Sequence, residues 1–124
     1  MSTPVSSMMK TQVWSVGMDD TVQEVEAFMS SHGLSWVPVR EPGGAVVGVV
    51  SATDLLQFHV RKGDPGVIQA WQICTYKPIA VAPDTAVSEV ARLMLHNKIH
   101  HVVVMEHDRI VGVVSSLDFV RQLT

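Results

Sequence analysis

The chain has 124 residues, enough for one domain or for two interlocked small halves, and its 47% hydrophobic against 17% charged residues excludes a disordered chain. Its net charge is −3, with Lys10, Arg40, Arg61 and Lys62 against seven carboxylates in residues 1–66 and five charges of each sign in 67–124. Without a basic stripe there is no surface for DNA or RNA, and nucleic acid is excluded as a partner class.

Cys74 is the only cysteine, so no intrachain disulfide forms, and a reducing compartment is the simpler reading. The opening residues Met1–Val5 lack the basic and long apolar parts of a signal peptide, and no apolar run approaches a membrane span. A cytoplasmic protein with no membrane contact is expected. The high apolar share in so small a chain predicts a further buried surface, most simply that of a homodimer.

In chain order, Val13–Val16 reads as a first short strand, and Asp19-Asp20-Thr21 as a helix start with carboxylates at its positive end. Val22, Val25, Phe28 and Met29 follow at helical spacing until His32-Gly33. Trp36–Val39 and Ala45–Val50 form a hairpin across Glu41-Pro42-Gly43-Gly44. A second helix runs from Ser51 to about Arg61, with Leu55, Leu56 and His59 facing inward.

The pattern then repeats. A shift of 65 positions lays Val16 on Val81, Asp19 on Asp84, Glu24-Val25 on Glu89-Val90, Met29 on Met94 and Val37 on Val102. Past the Gly43-Gly44 turn the shift becomes 64, and Gly48-Val-Val-Ser falls on Gly112-Val-Val-Ser with Asp54 on Asp118. The second copy thus has a strand at Ile79–Val81, a helix opened by Asp84-Thr85 and closed by Asn97-Lys98, strands at His101–Met105 and Ile110–Val114, and a helix from Ser115 with Phe119, Val120 and Leu123 inward. Residues 1–62 and 67–124 make the two repeats, joined by the linker 63–66. A short helix at Val67–Cys74 crosses between the halves, with Val5–Met9 as its counterpart. The fold class is α+β (α/β), each repeat β-α-β-β-α with a three-stranded sheet too small to stand alone, the two related by a pseudo-twofold axis in one compact module.

The chemistry concentrates in the repeated Gly-Val-Val-Ser-x-x-Asp corner, where a buried strand meets the first turn of a helix. Ser51 and Ser115 read first as helix caps, and a capping Ser can also face a ligand. Asp54 and Asp118 stand where backbone N–H groups favour anions. No general base accompanies either serine, and the phosphate-loop and dinucleotide glycine patterns are absent, so no catalytic residues and no enzyme activity are expected. His96 and His100 are four apart, but Asn97 ends that helix and no Cys or carboxylate completes a set, so no metal site is expected. Trp14, Trp36 and Trp71 read as core or interface residues, and Cys74 as a small buried hydrophobe.

Met8-Met9-Lys10-Thr11 before Val13–Val16, Val37-Pro38-Val39, Val81-Ala82-Pro83-Asp84-Thr85, His100-His101-Val102-Val103-Val104 and the two Gly-x-x-Ser-x-x-Asp corners together resemble a tandem pair of cystathionine β-synthase (CBS) domains, a Bateman module. The resemblance covers nearly the whole chain. It implies a regulatory module that requires no cofactor, binds an adenosine-containing ligand (AMP, ADP, ATP or S-adenosylmethionine, in some members NAD) in clefts between the repeats, and signals to a regulated partner protein.

It further implies ribose binding by Asp54 and Asp118, phosphate or hydroxyl contacts from Ser51 and Ser115, and adenine held near Val13, Val16, Ile79 and Val81. At the position where a basic residue often reaches phosphate, the first repeat has Ser35-Trp36 and the second His100-His101. Thr53 adds a hydroxyl that Leu117 lacks, so the two clefts are expected to differ, with the Asp118 one better equipped. The scarcity of Lys and Arg ranks AMP-like and S-adenosylmethionine-like species above ATP. The alternative reading is a structural dimerisation module without a nucleotide ligand.

Overall fold

A computed structural model of the chain describes residues 3–76 and 78–122. Helical periodicity places α1 at Val22–His32 and α4 at Val87–Asn97, which bury the same phase of their helices: Val22, Val25 and Met29 in one, Val87, Val90 and Met94 in the other. Their ends differ. Thr21 caps α1 in a reciprocal box with Glu24, its hydroxyl accepting from the Glu24 N–H at 3.1 Å while its own N–H donates to Glu24 Oε1 at 3.0 Å. The Thr21 N–H and hydroxyl, both donating to Glu24 Oε1 at 3.0 Å, hold the Glu24 carboxyl below its ordinary range. At α4 the N-cap is Ala86, one residue after the expected Asp84-Thr85 start, and no side chain caps it. Gly33 closes α1 in the left-handed region at φ 63°, whereas α4 closes on Lys98 at φ 54° rather than on Asn97.

The strands follow the predicted hairpins. β1 (Val16–Gly17) lies parallel to β2 (Trp36–Arg40), which pairs antiparallel with β3 (Val46–Ser51). Its short length corrects the expected Val13–Val16. The residue before Val39 in register is Pro38, which has no N–H to extend the ladder. In the second repeat β5 (Ala80–Val81), β6 (His101–Glu106) and β7 (Arg109–Ser115) repeat the arrangement. Even the register shift recurs, between Val39 and Arg40 and between Val104 and Met105.

The spatial units do not follow the repeat. Residues 14–78 form one unit, and those up to Val13 join those from Ile79 onward in the other. Each repeat therefore receives the segment that precedes its partner. In the unit of the second repeat, the Val5 N–H donates to the Thr85 carbonyl at 2.7 Å and Lys10 bridges Val113 through both backbone bonds. In the other unit, the Ala70 N–H donates to the Asp20 carbonyl at 2.8 Å and β4 (Thr75–Tyr76) pairs with β3. Val5 and Ala70, 65 apart, are both fully buried. The delivered strand makes the first sheet four-stranded, against the three expected, while the second has three strands plus the Lys10–Val113 bridge. The crossing helices are shorter than expected: α3 covers Ala70–Ile73 and its counterpart is a single 3-10 turn at Val5–Ser7.

Close backbone approach fixes a glycine at each junction. A Cβ on Gly48 would collide with the Thr75 carbonyl oxygen, and one on Gly112 would lie 2.5 Å from Met9 Sδ.

The last helix of each repeat is α2 (Ala52–Val60) or α5 (Ser116–Gln122). On α2 the inward residues are Leu55 and Phe58, three apart. The expected Leu56 is 68% exposed, and His59 lies at the surface with Nε2 2.7 Å from Glu26 Oε2. On α5, Phe119 packs on the core while Val120 is exposed, against expectation, and Leu123 lies outside the described residues. The two cores are valine-rich and separate: Val16, Val25, Met29, Val37, Val39 and Val50 in one, Val5, Val90, Met94, Val102, Val104 and Val114 in the other. The result is an α+β protein of two sheets with helices.

Candidate functional site

Both corners are built by the same local chemistry. Ser51 caps α2: its hydroxyl accepts from the Asp54 N–H at 3.2 Å, and Asp54 Oδ2 accepts from the Ser51 N–H at 2.8 Å. Ser115 and Asp118 repeat this at 3.3 and 2.8 Å. In each corner one carboxylate oxygen is thus committed to the cap, and the other, Oδ1, is left for something else.

What surrounds Oδ1 separates the two. Asp118 is the one buried charged residue among the described residues, its side chain 8% exposed. Arg121 Nη1 stands 3.4 Å from its Oδ1 and Lys10 Nζ 3.7 Å. A carboxylate taken out of water needs such company. Arg121 comes from the next turn of α5, and Lys10 comes from the delivered segment, pinned by its bridge to Val113. Around Asp54, among the described residues, no cation lies within ion-pair distance. The positions that match Lys10 and Arg121 in the unit of the first repeat hold Thr75 and Gln57.

The neighbouring strand differs too. His101 faces Ser115 across β6 and β7, where Trp36 faces Ser51 across β2 and β3. Burial holds His101 below the ordinary histidine range, His100 and Lys10 push the same way, and Asp118 opposes them. His101 therefore sits neutral at neutral pH within the field of the Asp118 cluster. His100 is exposed, its carbonyl accepting the Ser116 N–H at 2.9 Å and its ring 3.5 Å from Ser116 Oγ. Thr53 is exposed on the first turn of α2.

The residues expected near adenine are less unified. Val16 and Val13 fall in different units. The Val16 side chain belongs to the core, and its backbone lies in β1 in register with Val39 of β2. Ile79 and Val81 are half-buried against the second core, with the Ile79 carbonyl accepting from the Val103 N–H.

Lys10 and Arg121 are the residues the sequence reading passed over. Arg121 was discoverable from its spacing, three residues after Asp118 on a helix. Lys10 lies over a hundred residues from Asp118, and only the crossing of the segments brings it there. Cys74 is buried as expected, with its thiol pushed up by burial, and its Sγ donates to the Trp71 carbonyl. Among the described residues no three His, Cys, Asp or Glu side chains are grouped to hold a metal, and no helix is long and apolar enough to cross a membrane.

Similarity to known proteins agrees with the geometry. The sequence model of the CBS domain matches residues 5–61 and 70–124. An uncharacterized protein of Methanocaldococcus jannaschii, MJ0188, is 30% identical over 122 residues, covering 98% of this chain and 44% of that protein; the chain thus spans less than half of that relative. Among solved structures, the CBS domain pair of protein MJ0100, in complex with 5′-methylthioadenosine and S-adenosyl-L-methionine, superposes with a TM-score of 0.89 at 22% identity, covering 99% of this chain and 97% of that one. The CBS domain of a bacterial CNNM/CorC family Mg2+ transporter in complex with ATP gives 0.86 at 23%, covering 98% of this chain and 87% of that one. With two matched segments, two repeats of one fold and a duplicated Ser-x-x-Asp corner, the chain belongs to the CBS domain family as a tandem pair.

Proposed function

We propose that this chain is a non-catalytic regulatory module that binds an adenosine-containing ligand at its Ser-x-x-Asp corners and passes the bound state to a partner protein. The observation that carries the proposal is the shared corner geometry. In both, the cap consumes Oδ2 and orients Oδ1, and a carboxylate oxygen is the acceptor that a ribose diol needs. The MJ0100 pair with S-adenosyl-L-methionine and the CorC domain with ATP give the same fold a record of adenosine-type ligands. Ser51, Ser115, Thr53, His100 and His101 stand in the role of hydroxyl and phosphate partners, and the backbone near Val13, Val16, Ile79 and Val81 in that of adenine partners. We place the module in the cytoplasm, with repeats at 1–62 and 67–124 about the linker 63–66. A ligand shifts such a module only by its differential affinity for two states.

Calorimetric titration with AMP, ADP, ATP and S-adenosylmethionine tests the reading. At least one is expected to bind, and Asp54→Asn with Asp118→Asn is expected to abolish it. No binding below about millimolar, or binding that both substitutions leave intact, removes the reading.

The exposed Leu56, Val60, Leu95, Leu117 and Val120 favour homodimerisation through helical faces as a second reading. It predicts a dimer in sedimentation analysis whose dissociation ignores nucleotides.

A further inference from the structure

We infer that the first repeat carries a separate site for a free α-amino acid with a basic side chain, held between the Arg40 guanidinium and the Asp19, Asp20 and Glu41 carboxylates. Its place and its chemistry are independent of the adenosine reading. β2 meets the Ser51 corner at Trp36 and ends, at the opposite end of the strand, on Arg40. There a cavity of about 290 Å³ opens beside β1, with Gly17, Asp19, Asp20, Arg40 and Glu41 among its walls. Backbone bonds fix the base of the arginine: the Met18 N–H donates to the Arg40 carbonyl at 2.8 Å, and Arg40 pairs in register with Gly17. Its head is not fixed. Among the described residues the Arg40 guanidinium makes no ion pair, although three carboxylates line the same cavity. Its Nε is shut off from water and has no hydrogen-bond partner. A charged donor buried without an acceptor is a cost that folded chains rarely carry. Turning the head into the cavity to meet an anion there removes it.

The second repeat shows that the fold does not require this arginine. The 65-residue shift lays Arg40 on Met105 and Asp20 on Thr85, while Asp19 falls on Asp84 and Glu41 on Glu106. The register shift that precedes Arg40 precedes Met105 as well, and both side chains are half-buried. The arginine stem fills the place of a methionine, which leaves the guanidinium surplus to packing. The first repeat thus gains one charge of each sign in one cavity without joining them. Asp20 Oδ2 accepts from the Gly17 N–H at 2.8 Å, so the carboxylate is oriented while Oδ1 remains for another donor. An inorganic anion would meet one guanidinium and three carboxylates. A diamine would satisfy the carboxylates and leave Nε as it is. A ligand with one carboxylate and two ammonium groups answers the whole set, its carboxylate in a two-point contact with Arg40 and its ammonium groups toward Asp19, Asp20 and Glu41.

Calorimetry of the full chain tests this with L-lysine, with cadaverine, which keeps both amines and lacks the carboxylate, and with acetate. L-Lysine is expected to bind roughly tenfold or more tightly than either control, and added salt to weaken it. Arg40→Met, which sets the residue of the second repeat in the first, is expected to lower L-lysine affinity about tenfold and bring it level with cadaverine. Asp19→Asn, a change at an exposed residue, is expected to lower it about threefold. Urea unfolding serves as the folding control for both variants. No L-lysine binding below about 10 mM overturns the inference. L-Lysine binding that a folded Arg40→Met leaves unchanged overturns it too. Cadaverine binding as tight as L-lysine on the unsubstituted chain overturns it whatever Arg40→Met does, and reduces the cavity to an acidic surface. Nucleotide titrations are read separately, so the adenosine reading and this one stand or fall apart.

Discussion

The Asp54 and Asp118 corners share a backbone and differ in their surroundings. Each has a buried strand, a serine cap, a returned carboxylate bond of 2.8 Å and a partner strand in the same register. One has Trp36, Thr75 and Gln57 about it; the other has His101, Lys10 and Arg121. The hydrogen bonding and packing of the corner recur in both copies, and the charge around it does not. Duplication in this chain thus yields two acceptors of one shape and two electrostatic characters.

Three perturbations break or sharpen that likeness. The largest effect is expected at the glycine junctions. Gly48→Ala sets a methyl group against the Thr75 backbone carbonyl, which cannot move without parting β4 from β3, and a loss of about 3 kcal/mol is expected. Gly112→Ala meets Met9 Sδ first, the soft end of a flexible side chain, and about 1 kcal/mol is expected. Urea unfolding of both variants measures the difference, and equal losses would show that the two junctions are equally rigid.

The second perturbation exchanges the helix starts. Thr21→Ala removes the box that caps α1 and is expected to cost about 1 kcal/mol. Ala86→Thr sets a Thr three residues before Glu89, recreating at α4 the pattern of Thr21 and Glu24, and is expected to add about 0.5 to 1 kcal/mol. Thermal unfolding reads both, and a destabilised Ala86→Thr would mean that the bridge to Pro4 leaves the hydroxyl no room.

The smallest effect is one of pH and belongs to His101. Its pKa is lowered in the folded chain, so the unfolded chain binds more protons as pH falls below about 6.5, the ordinary histidine value. Its stabilising contribution is whole above that pH and declines below it until the folded-state pKa is reached. His101→Gln is expected to flatten this part of the profile of unfolding midpoint against pH. Trp36 makes no such contribution in the first repeat. An unchanged slope in His101→Gln would assign the dependence to other groups.

Much of this was legible in the residues. The 65-residue shift set out both helices and both hairpins, because apolar spacing at periods of 3.6 and 2 survives duplication. The Ser-x-x-Asp corners were legible as caps for the same reason: capping needs only residues three apart. Three things escaped. Phe58 was passed over for Leu56 and His59, since α2 carries apolar residues on two faces and spacing alone does not say which meets the core. β4 was missed because Thr75-Tyr76 is exposed and polar enough to pass for a turn. The partnership of Lys10 with Asp118 was missed because it depends on which repeat each crossing segment joins, and that is a property of topology rather than of local pattern.

The crossing also sets an order of events during synthesis. Residues 14–78 contain all the partners of their own sheet, whereas Val5 waits for Thr85 and Lys10 for Val113. At roughly 5 to 20 residues per second, the segment from Val5 to Lys10 leaves the ribosome several seconds before its partners. Its make-up suits that wait: Val5, Met8 and Met9 are interrupted by Ser6 and Ser7 and stopped by Lys10, a charge of the kind that discourages strands from pairing with strangers. Lys10, which later stands beside the buried Asp118, thus first guards an edge, and the unit of the second repeat is closed by a segment made well before the rest of it.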